Sequence, residues 1–214
     1  MAVILDPERS ALLVVDVQND FCPGGALGVP DGDAVVGPIN GLMPRFRHVV
    51  ATQDWHPADH ASFAAAWPGH AVHDTIEVDG IPQVLWPPHC VQGSKGAEFH
   101  AGLRIERASI ILRKGASPRL DSYSALFEND RHTPTGLEGW LRSLGVSVIY
   151  LTGLATDYCV YYSALDALRL NFQVVVVTDC VRGVDFPPGN VGRRLERLRK
   201  AGCSLVASSE LEGS

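Results

Sequence analysis

The sequence is short of the features that mark several large classes of protein. No apolar run approaches the ~18–20 residues that a membrane-spanning helix needs. Positive charge is not in surplus, since 18 Lys and Arg stand against 24 Asp and Glu, and nucleic-acid-binding domains usually need a basic face. Neither GxGxxG nor GxxxxGK[ST] occurs, so nucleotide binding has no support from a phosphate-binding motif. We therefore expect a chain that binds neither nucleic acid nor membranes.

Disulfide chemistry also has little support. The five cysteines are odd in number, widely spaced and without a CxxC pair, which favours free thiols in a reducing compartment. Met1–Asp6 lacks the basic stretch and the long apolar core of a signal peptide, so we expect a cytoplasmic protein. A chain of 214 residues can bury most of its unfolded surface without a disulfide or a metal. Its length allows one domain or two small ones, and we expect one domain spanning 1–214.

Short apolar runs alternate with amphipathic stretches along the chain. The runs are rich in Val, Ile and Leu, as in strands covered on both faces, and they predict strands at Ala11–Val15, His48–Thr52, Ser109–Leu112, Val146–Thr152, Gln173–Thr178 and Ser204–Ala207. The stretches between them predict helices at Ala34–Phe46, Thr135–Leu144, Asp157–Leu170 and Asn190–Ala201. We expect an α/β fold of three layers, α/β/α, around a central, mainly parallel six-stranded sheet. Residues 53–108 break this alternation and are expected to form a functional, metal-binding insertion.

Reactive side chains follow several of the predicted strands. Asp16 ends the first strand, Lys114 lies just beyond the third, and Cys159 follows the fourth. Ligands bind beyond the carboxyl ends of parallel strands, so we expect these three to meet. With Thr156 as a helix N-cap, Cys159 lies in the first helical turn, where a thiolate is favoured and N–H groups can stabilise an oxyanion. This set predicts a thiol nucleophile, a carboxylate that takes its proton and a stabilising ammonium, although each residue alone is as readily structural.

The insertion contains a cluster of metal-ligand residue types. Asp54 and His56 are two residues apart and point to one side of an extended chain, His60 follows four residues later, and His89 lies further along. One carboxylate and three imidazoles suit zinc, iron or manganese with positions left open for water or substrate.

Other interpretations of this insertion stay open. His70 and His73 are rival ligands that spacing does not exclude, and solvated histidines without a metal are the simplest alternative. Phe21 and Trp86 lie near the predicted catalytic edge, where flat side chains suit a planar ring substrate, but ordinary loop packing accounts for them equally well.

Five stretches of the chain together resemble a known family. The chain resembles the nicotinamidases of the isochorismatase-like cysteine hydrolases, the group that includes pyrazinamidase. The matching stretches span nearly the whole chain: VVDVQNDFCPGGAL at 14–27, Asp54-x-His56 with His60, WPPHCVQGSKGAEFH at 86–100, RKG at 113–115, and GLATDYCV at 153–160.

The resemblance implies a role for each candidate residue. It implies a single isochorismatase-like hydrolase domain with a catalytic triad of Asp16, Lys114 and Cys159. It implies one divalent metal ion, zinc ahead of iron and manganese, on Asp54, His56, His60 and His89. It implies an oxyanion hole from the N–H groups of Ala155 and Cys159, with a cis peptide at Leu154–Ala155. The implied substrate-binding residues are Phe21, Trp86, Tyr123 and Leu154.

The implied reaction is the hydrolysis of nicotinamide to nicotinate and ammonia through a thioester, in NAD salvage, with activity toward pyrazinamide as well. In the implied scheme the metal positions the pyridine ring and does not generate the nucleophile. Another amide or carbamoyl hydrolase of the same family is the nearer alternative. A non-enzymatic metal-binding or thiol-sensing protein is the more distant one. The expected partner is the small-molecule substrate, and a homo-oligomer is an open outcome.

Overall fold

A computed structural model describes residues 3–212, and the side chains from residue 5 onward. Six parallel strands form its central sheet: β2 (Ser10–Val15), β3 (His48–Asp54), β6 (Ile110–Lys114), β7 (Val148–Leu154), β8 (Gln173–Arg182) and β9 (Ser204–Val206). Their spatial order is β6-β3-β2-β7-β8-β9, so β2 lies in the middle of the sheet. The predicted fold class and six-stranded sheet are confirmed.

Alternate residues of the central strand supply the two faces of the core. Leu12 and Val14 join one buried apolar cluster, whereas Leu13 and Val15 join the other. This alternation follows from the period of two in strand geometry, and burial on both faces explains the unbroken apolar run. Gly153 of β7 lies opposite Val15, where an added Cβ would meet the Val15 carbonyl oxygen at 2.0 Å, so only glycine fits there.

Helices cover both faces of the sheet. α1 (Val36–Leu42) packs its apolar side chains into the first core cluster. The second cluster receives side chains from α2 (Leu137–Ser143), α3 (Cys159–Arg169) and α4 (Asn190–Lys200). The predicted helix over Ala34–Phe46 is only partly right, because α1 is flanked by 3₁₀ turns at Gly32–Val35 and Met43–Arg45. Pro44 is the second residue of the Met43–Arg45 turn, and proline disrupts a continuing α-helix.

Four strands extend further than their apolar runs indicate. The predicted ends were Thr52, Leu112, Thr152 and Thr178, whereas β3, β6, β7 and β8 end at Asp54, Lys114, Leu154 and Arg182. Backbone pairing continues after the side chains turn polar, and it sets Asp54 directly opposite Lys114. Asp54 and Lys114 therefore lie side by side at the carboxyl edge of the sheet.

Other pairings lie outside the predicted elements. β4 (Thr75–Val78) and β5 (Ile81–Val84) form an antiparallel hairpin inside the insertion. β1 (Val3–Ile4) pairs with β10 (Leu211–Glu212) near the ends of the described chain. These strands are short, which explains why sequence periodicity missed them. Within residues 3–212, no helix combines the length and apolar character needed to cross a membrane. That residues 1–214 form one domain stays a prediction.

Candidate active site

The carboxyl edge of the sheet brings together Asp16, Asp54, Lys114 and Cys159. β2 and β3 are neighbours, as are β3 and β6, so the residues that end them converge. The Lys114 ammonium is fully buried, and its Nζ lies 2.8 Å from Asp16 Oδ2, 2.8 Å from the Ser122 carbonyl oxygen and 3.5 Å from Cys159 Sγ. It also donates to Asp54 Oδ1. The three residues predicted to meet are therefore in direct contact around one buried cation.

The two carboxylates keep Lys114 charged. Burial disfavours the ammonium, but the negative charges of Asp16 and Asp54 outweigh it and raise the pKa of Lys114 well above its usual value. A buried cation of this kind is stable only when it is paired, and here both partners are equally enclosed. Lys114 thus links the groups at the ends of β2 and β3.

Asp16 is held in an uncommon backbone conformation at the end of β2. Its φ is +48°, which turns the chain out of the strand. Thr52 Oγ1 donates to Asp16 Oδ1 at 2.6 Å and accepts the Asp16 backbone N–H at 3.2 Å. Burial raises the pKa of the Asp16 carboxyl to about 6, although the Lys114 charge opposes that rise. A carboxylate with this pKa both accepts and returns protons near neutral pH.

Cys159 is the first residue of α3, but Thr156 does not cap that helix. Tyr158 occupies the N-cap position without a side-chain hydrogen bond, and Thr156 Oγ1 is buried with no partner among the described residues. The expected resting thiolate is also not supported. Burial raises the pKa of the Cys159 thiol well above its usual value, because it disfavours the thiolate more than Lys114 stabilises it. The thiol is therefore neutral at rest and needs a proton acceptor before it reacts.

The turn between β7 and α3 has the backbone that the resemblance implies. The Leu154–Ala155 peptide is cis. The Ala155 carbonyl accepts the N–H groups of Tyr158 and Val160, each at 3.1 Å, which fixes the entry into the helix. Leu154 is fully buried in the core and is not among the residues that line the pocket described below, so its predicted role in substrate binding has no support.

Candidate metal ligands lie beside this catalytic cluster. Ligand atoms of Asp54, His56 and His89 lie within 4.8 Å of one another, and so do those of His56, His60 and Asp121. His56 belongs to both groups, and the His56 and His60 rings stack with their centroids 4.2 Å apart. The four predicted ligands are therefore neighbours, and a second carboxylate, that of Asp121, lies beside His56 and His60.

A further group of this kind, formed by Asp16, Asp54 and Cys159, surrounds Lys114. Lys114 Nζ contacts all three, so the cation at that position is a lysine.

Backbone pairing explains why the histidines of the insertion converge. The His56 N–H donates to the Cys90 carbonyl at 3.0 Å, and the His56 carbonyl accepts the Gln92 N–H at 2.8 Å. These bonds form a parallel bridge that places His56 beside the segment carrying His89. A second bridge joins Phe63 to Trp86 and ties the loop after His60 to the same segment.

In each histidine of the cluster, one ring nitrogen lies within hydrogen-bond distance of a protein oxygen. Nδ1 lies 2.8 Å from the Gly115 carbonyl in His56, 2.7 Å from Ser62 Oγ in His60, and 2.8 Å from the Pro87 carbonyl in His89. Nε2 of His60 is buried without a hydrogen-bond partner among residues 5–212. Outer partners on one nitrogen and a free second nitrogen are typical of metal-ligating imidazoles.

The protonation states of three of the four predicted ligands also suit a cation, whereas Asp54, against the effect of burial, raises the pKa of His56, which must release a proton before it binds a metal. Burial and the nearby His56 lower the pKa of His89 to about 4, and burial lowers that of His60 as well. Lys114 holds the pKa of Asp54 well below its usual range, against the effect of burial. Two neutral imidazoles and one carboxylate are the forms that bind metals. The cluster is therefore suited to a divalent metal ion.

The rival ligands lie apart from the cluster. His70 is exposed, with its Nδ1 3.5 Å from Asp74 Oδ2. His73 stacks on Phe186 with ring centroids 4.0 Å apart. Neither belongs to a candidate metal group within the described part of the chain. Asp121 is the residue that the sequence interpretation missed, and its position in the loop after β6, the strand that ends in Lys114, was the available signal.

A small pocket opens onto both clusters. Its wall includes the predicted ring-binding residues Phe21, Trp86 and Tyr123, together with Leu27, Asp54, His56, His89, Asp121, Ala155, Tyr158, Cys159 and Val184. Trp86 Nε1 donates to the Tyr123 hydroxyl at 3.0 Å, and the Tyr158 ring packs edge-on against Trp86 with centroids 4.9 Å apart. Tyr158 was not predicted as a pocket residue, although it directly precedes Cys159. The aromatic side chains, the thiol and the candidate metal ligands therefore line one pocket.

Comparison with known proteins agrees with the observed fold. The isochorismatase domain family matches residues 10–210. Nicotinamidase of Escherichia coli (strain K12) is 44% identical over 206 residues, covering 94% of this chain and 96% of that protein. A solved nicotinamidase/pyrazinamidase of Acinetobacter baumanii superposes with a TM-score of 0.93 at 46% identity, covering 96% and 99% of the two chains. A pyrazinamidase of Pyrococcus horikoshii, solved in complex with zinc, has a TM-score of 0.75 at 38% identity, covering 93% and 99%.

The parallel sheet, which carries a cysteine, a lysine and an aspartate at its carboxyl edge, has an isochorismatase-like hydrolase fold. The chain belongs to the isochorismatase domain family. The family resemblance inferred from the sequence motifs is confirmed.

Proposed function

We propose that this protein is an amidohydrolase that converts nicotinamide to nicotinate and ammonia, and that it accepts pyrazinamide as well. The names of its relatives in Escherichia coli and Acinetobacter baumanii support this substrate class. The observation that carries the proposal is the contact of Cys159, Lys114 and Asp16 beside a metal-ligand cluster, on one pocket of aromatic walls. Release of nicotinate would feed NAD salvage.

The catalytic residues divide the reaction into two acyl transfers. Asp16 takes the thiol proton as Cys159 sulfur attacks the amide carbon, and it then gives that proton to the departing nitrogen. Ammonia leaves and a thioester remains on Cys159. Water, deprotonated by Asp16, attacks the thioester carbon and releases the carboxylic acid, and the thiol recovers its proton. Lys114 holds Asp16 in place and stabilises negative charge as it moves between the carboxylate and the sulfur.

The oxyanion of each step needs donors near Cys159. We assign this role to the backbone N–H groups of Ala155 and Cys159. Both residues line the pocket, and Cys159 begins α3, where the first N–H groups of a helix lack partners within the helix. Phe21, Trp86 and Tyr123 hold the ring against this edge.

We further propose that the divalent ion is held by Asp54, His56, His60 and His89, with Asp121 as an additional nearby carboxylate. The buried, unpartnered Nε2 of His60 supports this assignment, because an orphaned imidazole nitrogen is costly unless something binds it. When bound, the ion supplies a Lewis-acidic anchor that orients the ring of the substrate. Zinc is the metal proposed, since four ligands of this type suit it and the Pyrococcus horikoshii relative is described in complex with zinc.

The cytoplasm is the proposed compartment. All five cysteines are free in the structure, which supports a reducing environment. A homo-oligomeric state stays a prediction, as does the single domain over residues 1–214.

An ammonia-release assay tests the proposal directly. The purified protein is given nicotinamide, pyrazinamide and a panel of carbamoyl compounds, before and after the metal is stripped with a chelator and restored with zinc. We expect turnover of nicotinamide that falls on stripping and recovers on restoration. Turnover of a carbamoyl compound in preference to nicotinamide would instead establish the alternative hydrolase, and no turnover of any amide would contradict an enzymatic role.

A further inference from the structure

The pairing of β2 with β3 stops short of the catalytic edge. Backbone pairing of the two strands runs from Ala11↔His48 to Val14↔Ala51, whereas β3 continues to Asp54 and stays paired with β6. The last part of β3 therefore has one edge without a partner strand. Asp54 lies in this part, although it must hold its position toward both Lys114 and the candidate metal ligands.

The side chain of Gln18 takes the place of the missing strand. Its Oε1 accepts the Asp54 backbone N–H at 2.8 Å, and its Nε2 donates to the Asp54 backbone carbonyl at 2.9 Å. One primary amide thus satisfies both backbone groups of one residue, as a neighbouring strand does. Gln18 is fully buried, so water does not compete for these bonds.

The same amide reaches a third segment. Nε2 of Gln18 also donates to the Ala97 carbonyl at 2.9 Å, in the segment that follows His89. Next to it, the Asn19 N–H donates to the Glu98 carbonyl at 3.0 Å. The chain just beyond Asp16 is therefore fastened to two parts of the candidate metal site, Asp54 on one side and the His89 segment on the other.

We propose that Gln18 is a positioning residue for the metal site, whose side-chain amide stands in for a β-strand and fixes the backbone of Asp54 relative to the His89 segment. This inference rests on the proposed metal-dependent function. The hydrogen bonds of the Gln18 side chain go to backbone atoms of Asp54 and Ala97 and not to a candidate ligand atom, so Gln18 acts on the metal site through the backbone of Asp54. This role depends on the three hydrogen bonds of the Gln18 side chain, and not on the length or polarity of glutamine alone.

Gln53 provides a matched control. It is also a buried glutamine, and its Nε2 donates to the same Ala97 carbonyl at 2.7 Å. Its Oε1 accepts from Arg113 and not from the Asp54 backbone. Gln18→Glu and Gln53→Glu each replace an amide donor to Ala97 with a carboxylate oxygen, but only the first also faces the Asp54 carbonyl.

The experiment measures zinc affinity on metal-free protein by competition with a chromogenic chelator, alongside thermal unfolding and kcat and KM for nicotinamide. We expect Gln18→Glu to weaken zinc binding by about tenfold to a hundredfold, the usual range for outer partners of a metal ligand. Gln53→Glu should stay within about threefold of the unaltered protein, since Asp54 keeps its backbone partner. Equal losses in the two variants would overturn the proposal.

Hydrogen exchange keeps the proposal testable if Gln18→Glu does not fold. In the unaltered protein, the Asp54 amide should exchange as slowly as amides in the middle of β2, because Gln18 covers it. Exchange at the rate of an exposed loop amide would contradict the strand-like role of Gln18. This readout needs neither metal nor turnover, so it separates a failure of the Gln18 proposal from a failure of the proposed function.

Discussion

The catalytic cluster and the metal-ligand cluster share Asp54 but are built from different kinds of backbone. Asp16 and Lys114 lie at the ends of strands, and Cys159 begins a helix, so regular elements fix them. His60 and His89 lie on irregular chain that is joined by isolated bridges and single hydrogen bonds. The sheet and the helix start thus fix the candidate reacting groups, whereas hydrogen bonds between irregular segments hold the candidate histidine ligands beside them.

The sharpest way to separate the two clusters is to remove the thiol. Cys159→Ala should lower turnover of nicotinamide at least about a thousandfold, because the account has no other nucleophile. Metal content should not change, since the cation beside Cys159 is Lys114. Elemental analysis and ammonia release on the same preparation check both statements. Retained turnover would show that Cys159 is not the nucleophile. Loss of metal would show that Cys159 also contributes to the metal-ligand cluster.

Replacing Lys114, the cation that lies between Asp16 and Asp54, should lower the stability of the protein. Lys114→Met leaves the buried carboxylates of Asp16 and Asp54 facing each other without compensation, so we expect a loss of about 3–5 kcal/mol in the free energy of unfolding. Arg199→Ala is the control, because it breaks an ion pair with Glu196 at the surface and should cost less than about 1 kcal/mol. Denaturant unfolding measures both variants. Equal costs would show that Lys114 does not organise the sheet edge.

Removing one ligand should affect the metal and leave the fold intact. His89→Ala should weaken zinc binding by at least about tenfold, while the strand ends keep their register. His70→Ala serves as the control, because His70 is exposed and outside both ligand groups. Metal occupancy after dialysis against a weak chelator distinguishes the two. Full occupancy in His89→Ala, or a loss in His70→Ala, would show that the ligand set is wrong.

The smallest effect is expected at the pocket wall. Tyr123→Phe keeps the ring but removes the hydroxyl that accepts the Trp86 indole N–H, so KM for nicotinamide should rise roughly fivefold with little change in kcat. Tyr162 stacks on Tyr123 from outside the pocket, and Tyr162→Phe should leave KM unchanged. Steady-state kinetics of the two variants make the comparison. A fall in kcat alone would assign Tyr123 to chemistry and not to ring binding.

The same division between sheet and insertion explains what the sequence could predict. Apolar runs located the strands, and the rule that parallel strands carry their sites at the carboxyl edge was enough to group Asp16, Lys114 and Cys159. The motifs pointed to the correct family. The sequence was a poorer guide to the protonation state of the Cys159 thiol, because that state depends on how deeply the thiol is buried.

The insertion shows the limit more clearly. His60, His70 and His73 are chemically alike in the sequence, and only the bridges to the His89 segment separate them. Asp121 and Tyr158 were missed because their neighbours come from distant segments. The bonds from Gln18 to Asp54 likewise depend on where β2 stops pairing with β3, which no periodicity records.

The central claim is that carbon–sulfur bond formation at Cys159 carries the reaction. Mass spectrometry of protein quenched in acid during turnover of nicotinamide tests it most directly. The account predicts a species heavier by one nicotinoyl group less the displaced hydrogen, located on the peptide that contains residue 159 and missing in Cys159→Ala. Rapid ammonia release with the acyl group found on another residue, or with full activity in that variant, would contradict it.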